Sequence, residues 1–238
     1  MNLILFSPDE TEKPLPLGDP RAVHILEHLR REDGESFDAG LIHGPRGKGW
    51  IEKRLPKELR LRFTWEGSVP ASEPVILAAG IPRPQTARRI LREASALGVQ
   101  SIRFFTADKG PASYRESRLW STGEYRRHLI EGAQQAFTTR IPSVSLDAGL
   151  KACLDALPGS SVRVALDVYE GTGALSGISS GGPDAILAVG PERGWSRSER
   201  NLLRAAGFTL VHLGERVLRS DTACVSGLTL VLAKLGRL

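Results

Sequence analysis

The chain has 238 residues, a formal net charge of +5 and a hydrophobic content of 41%, which suits one large or two modest globular domains. No apolar run approaches the roughly 18 residues of a membrane span, and the one before Ser7 is too short for a secretory signal. The two cysteines, Cys153 and Cys224, lie in apolar surroundings that favour no disulfide framework, so we expect a cytoplasmic protein.

Basic residues are concentrated in two segments. From Arg46 to Arg62 there are seven basic residues against two acidic ones, and from Arg83 to Arg127 ten against four. A single run of this kind is usually a solvated face. Two such runs in one small protein favour a polyanionic partner such as RNA.

Residues 3–66 are short strand-like runs broken by glycines and charges, with one helical stretch around residues 19–30. Residues 34–55 predict two strands joined by a glycine-rich turn at Gly44–Gly49. We predict a small β-rich domain over residues 1–70, with a polar, proline-containing linker at Ser68–Pro74.

Beyond the linker, strand and helix patterns alternate. Predicted strands cover residues 74–80, 101–107, 162–168, 184–190 and 209–214. Helices are predicted between them at residues 85–97, 124–137 and 196–206, and a last one follows residues 219–222. Gly98 and Gly207 mark helix ends, and Ser196 with Glu199 forms a capping box. This alternation predicts an α/β domain over residues 71–238, with a parallel sheet covered on both faces.

Three motifs suggest other functions. "HILEH" (His24–His28) has the spacing of a zinc site but no evident third ligand, so an amphipathic helix is favoured and no metal is expected. The glycines of Gly171–Gly177 suggest a dinucleotide-binding oxidoreductase, yet no amphipathic helix follows, which favours a flexible loop. "GPRGKGW" lacks P-loop spacing and predicts a turn.

Two glycine-marked loops, "VGPERGW" and "LGERVLRSDT", each follow a predicted parallel strand. Open α/β sheets bind ligands at the carboxyl ends of their strands. Gly190, Pro191 and Gly194 allow a tight bend that exposes main-chain groups, and the second loop combines apolar side chains with Gly214. Together the loops could hold an adenine ring, although they could also be plain strand–helix turns.

The stretch "ILAVGPERGWSRSERNLLRAAGFTLVHLGERVLRSDTA" resembles the ribosomal RNA small subunit methyltransferase E family. The resemblance extends to "ILAAGIPRPQTARRILREASALGV", "EGAQQAFTTRIP" and "VHILEHLRREDGESFDAG", so it covers most of the chain. It implies a PUA-like β-barrel RNA-binding domain followed by a SPOUT trefoil-knot methyltransferase domain. It also implies a homodimer that uses S-adenosylmethionine to methylate a uridine ring nitrogen (N3) in 16S rRNA of the small ribosomal subunit.

The resemblance also assigns roles to residues. Those implied to bind the cofactor are Leu166, Asp167, Val189, Gly190, Pro191, Glu192, Gly194, Leu213, Gly214, Val217 and Leu218. Arg219 is implied to hold the base or a phosphate, and Glu192 and Asp221 are the nearest carboxylates that could take the proton. From the basic segments we expect RNA contacts from Arg46, Lys48, Lys53, Arg54, Arg83 and Arg88.

Four positions depart from the family pattern. Arg193 replaces a glycine, Asp221 and Ala96 replace glutamates, and Thr138 replaces an arginine. These departures leave two alternatives open: a methyltransferase with another RNA target, and a non-catalytic RNA-binding or ribosome-assembly factor with the same fold.

Overall fold

The computed structural model describes residues 3–159, 162–178 and 181–238. The chain divides into two compact units, Met1–Ala71 with Ala133–Ile141, and Ser72–Gly132 with Pro142–Leu238. Residues 133–141 therefore belong with the N-terminal unit, which the prediction of two continuous domains did not anticipate. In the described part of the chain, no helix is long and apolar enough to cross a membrane.

The first unit contains a five-stranded sheet. Its strands are β1 (Ile4–Phe6), β2 (Leu15–Pro16), β3 (Ser36–Leu41), β4 (Arg46–Arg54) and β5 (Glu58–Glu66), in the order β1-β3-β4-β5-β2. Pairing is antiparallel except between β1 and β3. Phe6, Ile25, Phe37 and Ile51 form the centre of its core. Closure of this sheet into a PUA-like barrel stays a prediction.

The predicted hairpin forms between β3 and β4, but its turn is shorter than expected. Gly47 and Gly49 lie within β4, opposite Ala39 and Phe37. A Cβ atom on Gly47 would lie 1.9 Å from the carbonyl oxygen of Thr64, and one on Gly49 would lie 2.4 Å from the Phe37 ring. These glycines therefore permit close packing within the sheet rather than a turn.

The predicted helix of this unit consists of α1 (Pro20–Val23), capped by Asp19, and a π-helical turn at His24–His28. Ala22 and Ile25 are buried, as an amphipathic helix requires. The two histidine rings stack with centroids 5.3 Å apart. Burial, and then the neighbouring His28, lower the pKa of His24. Among the described residues, no three potential metal ligands lie close enough together to hold an ion.

The second unit is a mixed α/β fold with a parallel sheet. Its strands are β6 (Glu73–Gly80), β7 (Val99–Phe105), β8 (Ser143–Asp147), β9 (Val162–Leu166), β10 (Ala185–Val189) and β11 (Thr209–Val211). The order is β11-β9-β10-β6-β7-β8, and every neighbouring pair is parallel. All five residues of β10 are buried, as expected for a central strand covered on both faces.

The remaining helices are α2 (Pro84–Ala96), α3 (Arg118–Ser121), α4 (Tyr125–Gln135), α5 (Leu150–Asp155), α6 (Arg197–Ala205) and α7 (Ser220–Lys234). They belong to this unit except for the end of α4 from Ala133 onward. On one face of the sheet, Ile186 and Ala188 pack in a core with Cys153 of α5 and Leu203 of α6. On the other face, Gly227 of α7 lies against Leu187, and α2 packs against α7. The predicted two-sided covering of the sheet is therefore present.

Candidate functional site

A cavity of about 470 Å³ lies in the second unit, at the carboxyl ends of β6, β9, β10 and β11. Its position follows from the strand order, because β10 lies between β6 and β9 and so brings loops from distant parts of the chain together. Every residue that the sequence assigned to cofactor binding or catalysis lines this cavity. Their individual roles stay predictions.

The β10–α6 loop forms one wall. Residues 191–194 make a tight turn, with the amide of Gly194 donating to the carbonyl of Pro191 at 2.8 Å, and Gly194 has a φ of +68°. Trp195 then inserts into the core, where it is 1% exposed and its Nε1 donates to the carbonyl of Leu166 at 2.9 Å. The predicted capping box at Ser196 and Glu199 begins α6. The turn is thus held in place by a buried anchor on one side and a capped helix on the other.

Gly190 must remain small for this wall to form. A Cβ atom there would lie 3.1 Å from the Trp195 ring, which is tighter than ordinary van der Waals contact. Gly190 therefore packs against the indole, and both Gly190 and Val189 line the cavity. Exposure of their main-chain groups to a ligand stays a prediction.

The β11–α7 loop forms the opposite wall and leaves apolar side chains uncovered. Gly214 has a φ of +107°, and its amide donates to Nδ1 of His212 at 3.1 Å. Val217 is 72% exposed and Leu218 is 37% exposed. Tyr169, from the loop after β9, lines the same cavity and is 76% exposed. Three exposed apolar or aromatic groups at one cavity mark a ligand-binding surface.

Asp167 at the end of β9 is buried and fully engaged within the protein. Its carboxylate accepts hydrogen bonds from the Arg200 guanidinium and from the amide of Tyr169 at 2.9 Å. Burial opposes ionisation of this group, but the bonds from Arg200 and Tyr169 outweigh it and hold the pKa of Asp167 below its usual value. Asp167 therefore shapes the cavity wall as a carboxylate that is ionised at neutral pH.

The two carboxylates predicted to handle a proton have different surroundings. Asp221 is buried at the start of α7, 3.2 Å from Nη1 of Arg89 and 3.7 Å from Nε of Arg219. Burial alone would raise the pKa of Asp221. The contacts with Arg89, the Thr222 amide and Arg219 together have a larger and opposite effect, so the pKa lies below its usual value. Glu192 is exposed, and its Oε1 accepts from the amide of Arg83 at 3.1 Å. Asp221 is thus a weak base at neutral pH.

The residues predicted to contact RNA fall in both units. Arg83 lines the cavity. Arg88 pairs with Glu124, with Nε 2.7 Å from Oε1. In the first unit, Lys48 pairs with Asp38 at 2.7 Å, and Arg46 donates to the carbonyl of Phe137 at 3.2 Å. Lys53 and Arg54 are exposed at the end of β4.

Some cavity residues were not identified from the sequence. Tyr169, Trp195 and Arg216 line it, and Arg89 and Arg200 hold its two buried carboxylates. The tryptophan in "PERGW" could have been predicted to be buried next to the loop, because a large aromatic side chain directly after a glycine turn is usually packed in the core. Arg89 and Arg200 carry no such signal.

The segment considered as an oxidoreductase motif has a different structure. After β9 the described residues form a turn, a short 3₁₀ helix at Leu175–Gly177 and a bridge from Ala174 to His212. No α-helix begins within residues 171–178, although a dinucleotide loop depends on such a helix to receive phosphates. Residues 179 and 180 of the predicted loop lie outside the described residues.

Known proteins resemble this chain in sequence over most of its length. Residues 70–232 match the RNA methyltransferase domain family. The chain is 34% identical to ribosomal RNA small subunit methyltransferase E of Treponema pallidum, over 98% of this chain and 91% of that protein. It is 25% identical to ribosomal RNA small subunit methyltransferase E 1 of Borreliella burgdorferi, over 99% of both.

The fold also matches a solved structure. The crystal structure of ribosomal RNA small subunit methyltransferase E from Neisseria gonorrhoeae, bound to S-adenosyl methionine, superposes with a TM-score of 0.80 and covers 98% of this chain and 97% of that one, at 19% identity. This match concerns the fold. Taken with the family match and the Treponema relative, it leads to one conclusion: the chain belongs to the ribosomal RNA small subunit methyltransferase E family of RNA methyltransferases.

Proposed function

We propose that this protein transfers the methyl group of S-adenosylmethionine to N3 of a uridine in 16S rRNA of the small ribosomal subunit. The observation that carries the proposal is the cavity at the carboxyl ends of four parallel strands, with glycine-containing loops and exposed apolar groups on its walls. Such a site suits a flat, partly apolar ligand whose edge is read by main-chain groups. Membership in the family supplies the cofactor and the class of substrate.

The residues present fit an adenosyl group. Val217 and Leu218 offer exposed apolar surface, and the loops around Gly190 and Gly214 offer main-chain donors and acceptors. Asp167, which the family resemblance implies in cofactor binding, lines the same cavity, where Arg200 and the Tyr169 amide hold its carboxylate in place. When bound, the cofactor supplies an electrophilic methyl group on a sulfonium.

The chain must then orient the base and manage one proton. A uridine N3 is protonated at neutral pH, so N3–H must lose its proton before the nitrogen lone pair forms the new N–C bond and the S–C bonding electrons remain on sulfur. Arg219 lines the cavity with an exposed guanidinium, which can hold the base and stabilise the anion. We assign Arg219 as the catalytic residue, with Glu192 and Asp221 as the candidate carboxylates for the proton.

Several further properties belong to the same proposal. They are a trefoil knot in the second unit, a homodimer, an RNA-binding barrel built on the first unit, and a cytoplasmic location where ribosomal subunits are assembled. The family resemblance supports each of them. Light scattering of the purified protein tests the dimer, which predicts twice the 25.8 kDa mass of one chain.

The activity itself is tested directly. Purified protein incubated with labelled S-adenosylmethionine and unmethylated small ribosomal subunits should label 16S rRNA, and mass mapping should locate the label on a uridine N3. Label on another RNA position would show a different target. Cofactor binding in calorimetry without any labelled RNA would favour the non-catalytic alternative.

A matched pair of glycine variants tests the cofactor site. Gly214 and Gly207 both have positive φ values, +107° and +79°, and neither has an atom within 4 Å of the added Cβ. Alanine at either position should cost roughly 1–2 kcal/mol of stability through backbone strain. Because only Gly214 lines the cavity, Gly214→Ala should also weaken S-adenosylmethionine binding about tenfold in calorimetry. Equal cofactor affinity in the two variants would place the cofactor elsewhere.

A further inference from the structure

Three loops each bring one unpartnered arginine to the cavity. Arg83 precedes α2, Arg193 lies in the tight turn of the β10–α6 loop, and Arg216 lies in the β11–α7 loop. All three side chains are exposed. Within residues 3–159, 162–178 and 181–238, none of the three guanidinium groups forms a hydrogen bond or an ion pair. We call these residues the arginine triad.

The carboxylates of the cavity do not balance this charge. Asp167 pairs with Arg200, and Asp221 pairs with Arg89 at 3.2 Å and lies 3.7 Å from Arg219. Glu192 accepts from the main-chain amide of Arg83, and its single negative charge offsets only one of the three guanidinium charges. The cavity mouth therefore carries a positive potential from three separate loops, and a gathering of like charges of this kind attracts an anion.

Two members of the triad are held by loops that are tied together. The hydrogen bond from the Arg83 amide to Glu192 joins the β6–α2 loop to the turn that carries Arg193. Pro191 of that turn packs against Gly80, where a Cβ atom would lie 2.9 Å from the proline nitrogen. Backbone positions fixed in this way reduce the entropy lost when the arginines bind a ligand.

We propose that the arginine triad binds the phosphates on either side of the target nucleotide and holds the RNA strand across the cavity mouth while the base enters. The proposal rests on the proposed function and assigns roles to Arg193 and Arg216 as well as to Arg83. Guanidinium groups bind phosphates with two parallel hydrogen bonds. A base that reacts inside a pocket must leave its stack, and a strand held on both sides is then needed to keep it inserted.

The departure at Arg193 takes on a function in this arrangement. The turn residue at this position faces solvent, so a large side chain there disturbs no packing and adds a cation at the mouth of the cavity. The Arg193 side chain therefore adds affinity for RNA and leaves the cofactor-binding wall, formed by the neighbouring residues of the loop, unchanged.

The test uses the full-length protein with Arg83→Gln, Arg193→Gln and Arg216→Gln, singly and combined. The matched control is Arg197→Gln. Arg197 is exposed at the start of α6, directly after the β10–α6 loop that carries Arg193. It does not line the cavity and forms no ion pair with the described residues. Binding of unmethylated small ribosomal subunits is measured between about 50 and 200 mM salt. Cofactor affinity is measured by calorimetry, and thermal unfolding confirms that the variants fold.

Each single variant should weaken RNA binding about fivefold and the triple variant about 100-fold, with cofactor affinity within threefold of that of the unsubstituted protein. Since each phosphate contact contributes about 0.7–0.9 to the slope of log K against log salt, the triple variant should lose roughly 2–3 from that slope. The Arg197→Gln control should change neither.

Two results would overturn the proposal. One is a triple variant with the RNA affinity and salt slope of the control. The other is weakened S-adenosylmethionine binding with unchanged RNA affinity, which would assign the triad to the carboxylate of the methyl donor. Failure of the proposed function can be distinguished from failure of the triad proposal. It would appear as no cofactor binding or no RNA labelling by the unsubstituted protein, and the RNA affinities of the variants could still be compared.

Discussion

Arg219→Ala should lower the methyl-transfer rate at saturating cofactor and RNA by about 100-fold or more, the loss typical for removing one positioned donor that stabilises developing charge. The Arg219 guanidinium is free to contact the base, because the side chain is 66% exposed and its Nε lies 3.7 Å from Asp221, too far for a strong hydrogen bond. Cofactor affinity should stay within about threefold. Single-turnover kinetics on unmethylated small subunits separate the two effects.

The pH dependence distinguishes anion stabilisation from simple positioning. If Arg219 stabilises the deprotonated uridine, its removal shifts the rate profile toward higher pH, and Arg219→Lys recovers part of the rate because it keeps the charge and loses the planar fork. A uniform loss at every pH would assign Arg219 to positioning alone. An unchanged rate would remove it from the reaction altogether.

Asp221→Asn tests whether Asp221 accepts the proton from the uridine N3. The pKa of Asp221 lies below its usual value despite burial, because of the contacts with Arg89, the Thr222 amide and Arg219. A carboxylate that holds a proton so weakly contributes little as a base, so this variant should lose less than tenfold. A loss as large as that of Arg219→Ala would identify Asp221 as the proton acceptor.

Local patterns were sufficient to predict most strands and the longer helices of the second unit and the edge of the sheet where its cavity lies, but not the short helices Arg118–Ser121 and Leu150–Asp155. Gly98 and Gly207, with φ values of +76° and +79°, end helices where the sequence placed these ends. The cofactor loops lie together because carboxyl ends of neighbouring parallel strands share one edge of the sheet. In contrast, the strand at Ser143–Asp147 was missed, since none of its residues is fully buried and it has no continuous apolar run.

Long-range pairing could not be predicted from the sequence. Nothing in the residues of β10 indicates that it inserts between β6 and β9. The pairs that fix the cavity carboxylates join Arg200 to Asp167 and Arg89 to Asp221, 33 and 132 positions apart. An arginine on a helix surface has many possible partners, and only the packing of the helix on its sheet selects one.

Arg200→Leu should lower the free energy of unfolding by about 3–5 kcal/mol, because it leaves the Asp167 carboxylate buried without its partner. The Asp167 side chain is 2% exposed and that of Arg200 is 12% exposed. Arg204→Leu is the matched control: Arg204 bonds Glu170 at 2.6 Å, but the two side chains are 47% and 42% exposed, so its loss should stay below about 1 kcal/mol. Urea unfolding of both variants at pH 7 gives the comparison.

The stability difference between Arg200→Leu and the unsubstituted protein should shrink in acid. An aspartate usually has a pKa near 4, and the pKa of Asp167 in the folded protein lies below it. The stabilisation that the ionised Asp167 gains from Arg200 is therefore complete above the usual pKa and is lost as the pH falls toward the folded pKa. The variant, whose carboxylate is buried without the guanidinium, takes up its proton at higher pH and gains stability relative to the unsubstituted protein as the pH is lowered from 7 to 3. Asp167→Asn combined with Arg200→Leu should recover part of the loss at pH 7, since no buried charge remains. A constant difference across this range, or a loss no larger than that of Arg204→Leu, would show that the pair does not hold the cavity wall.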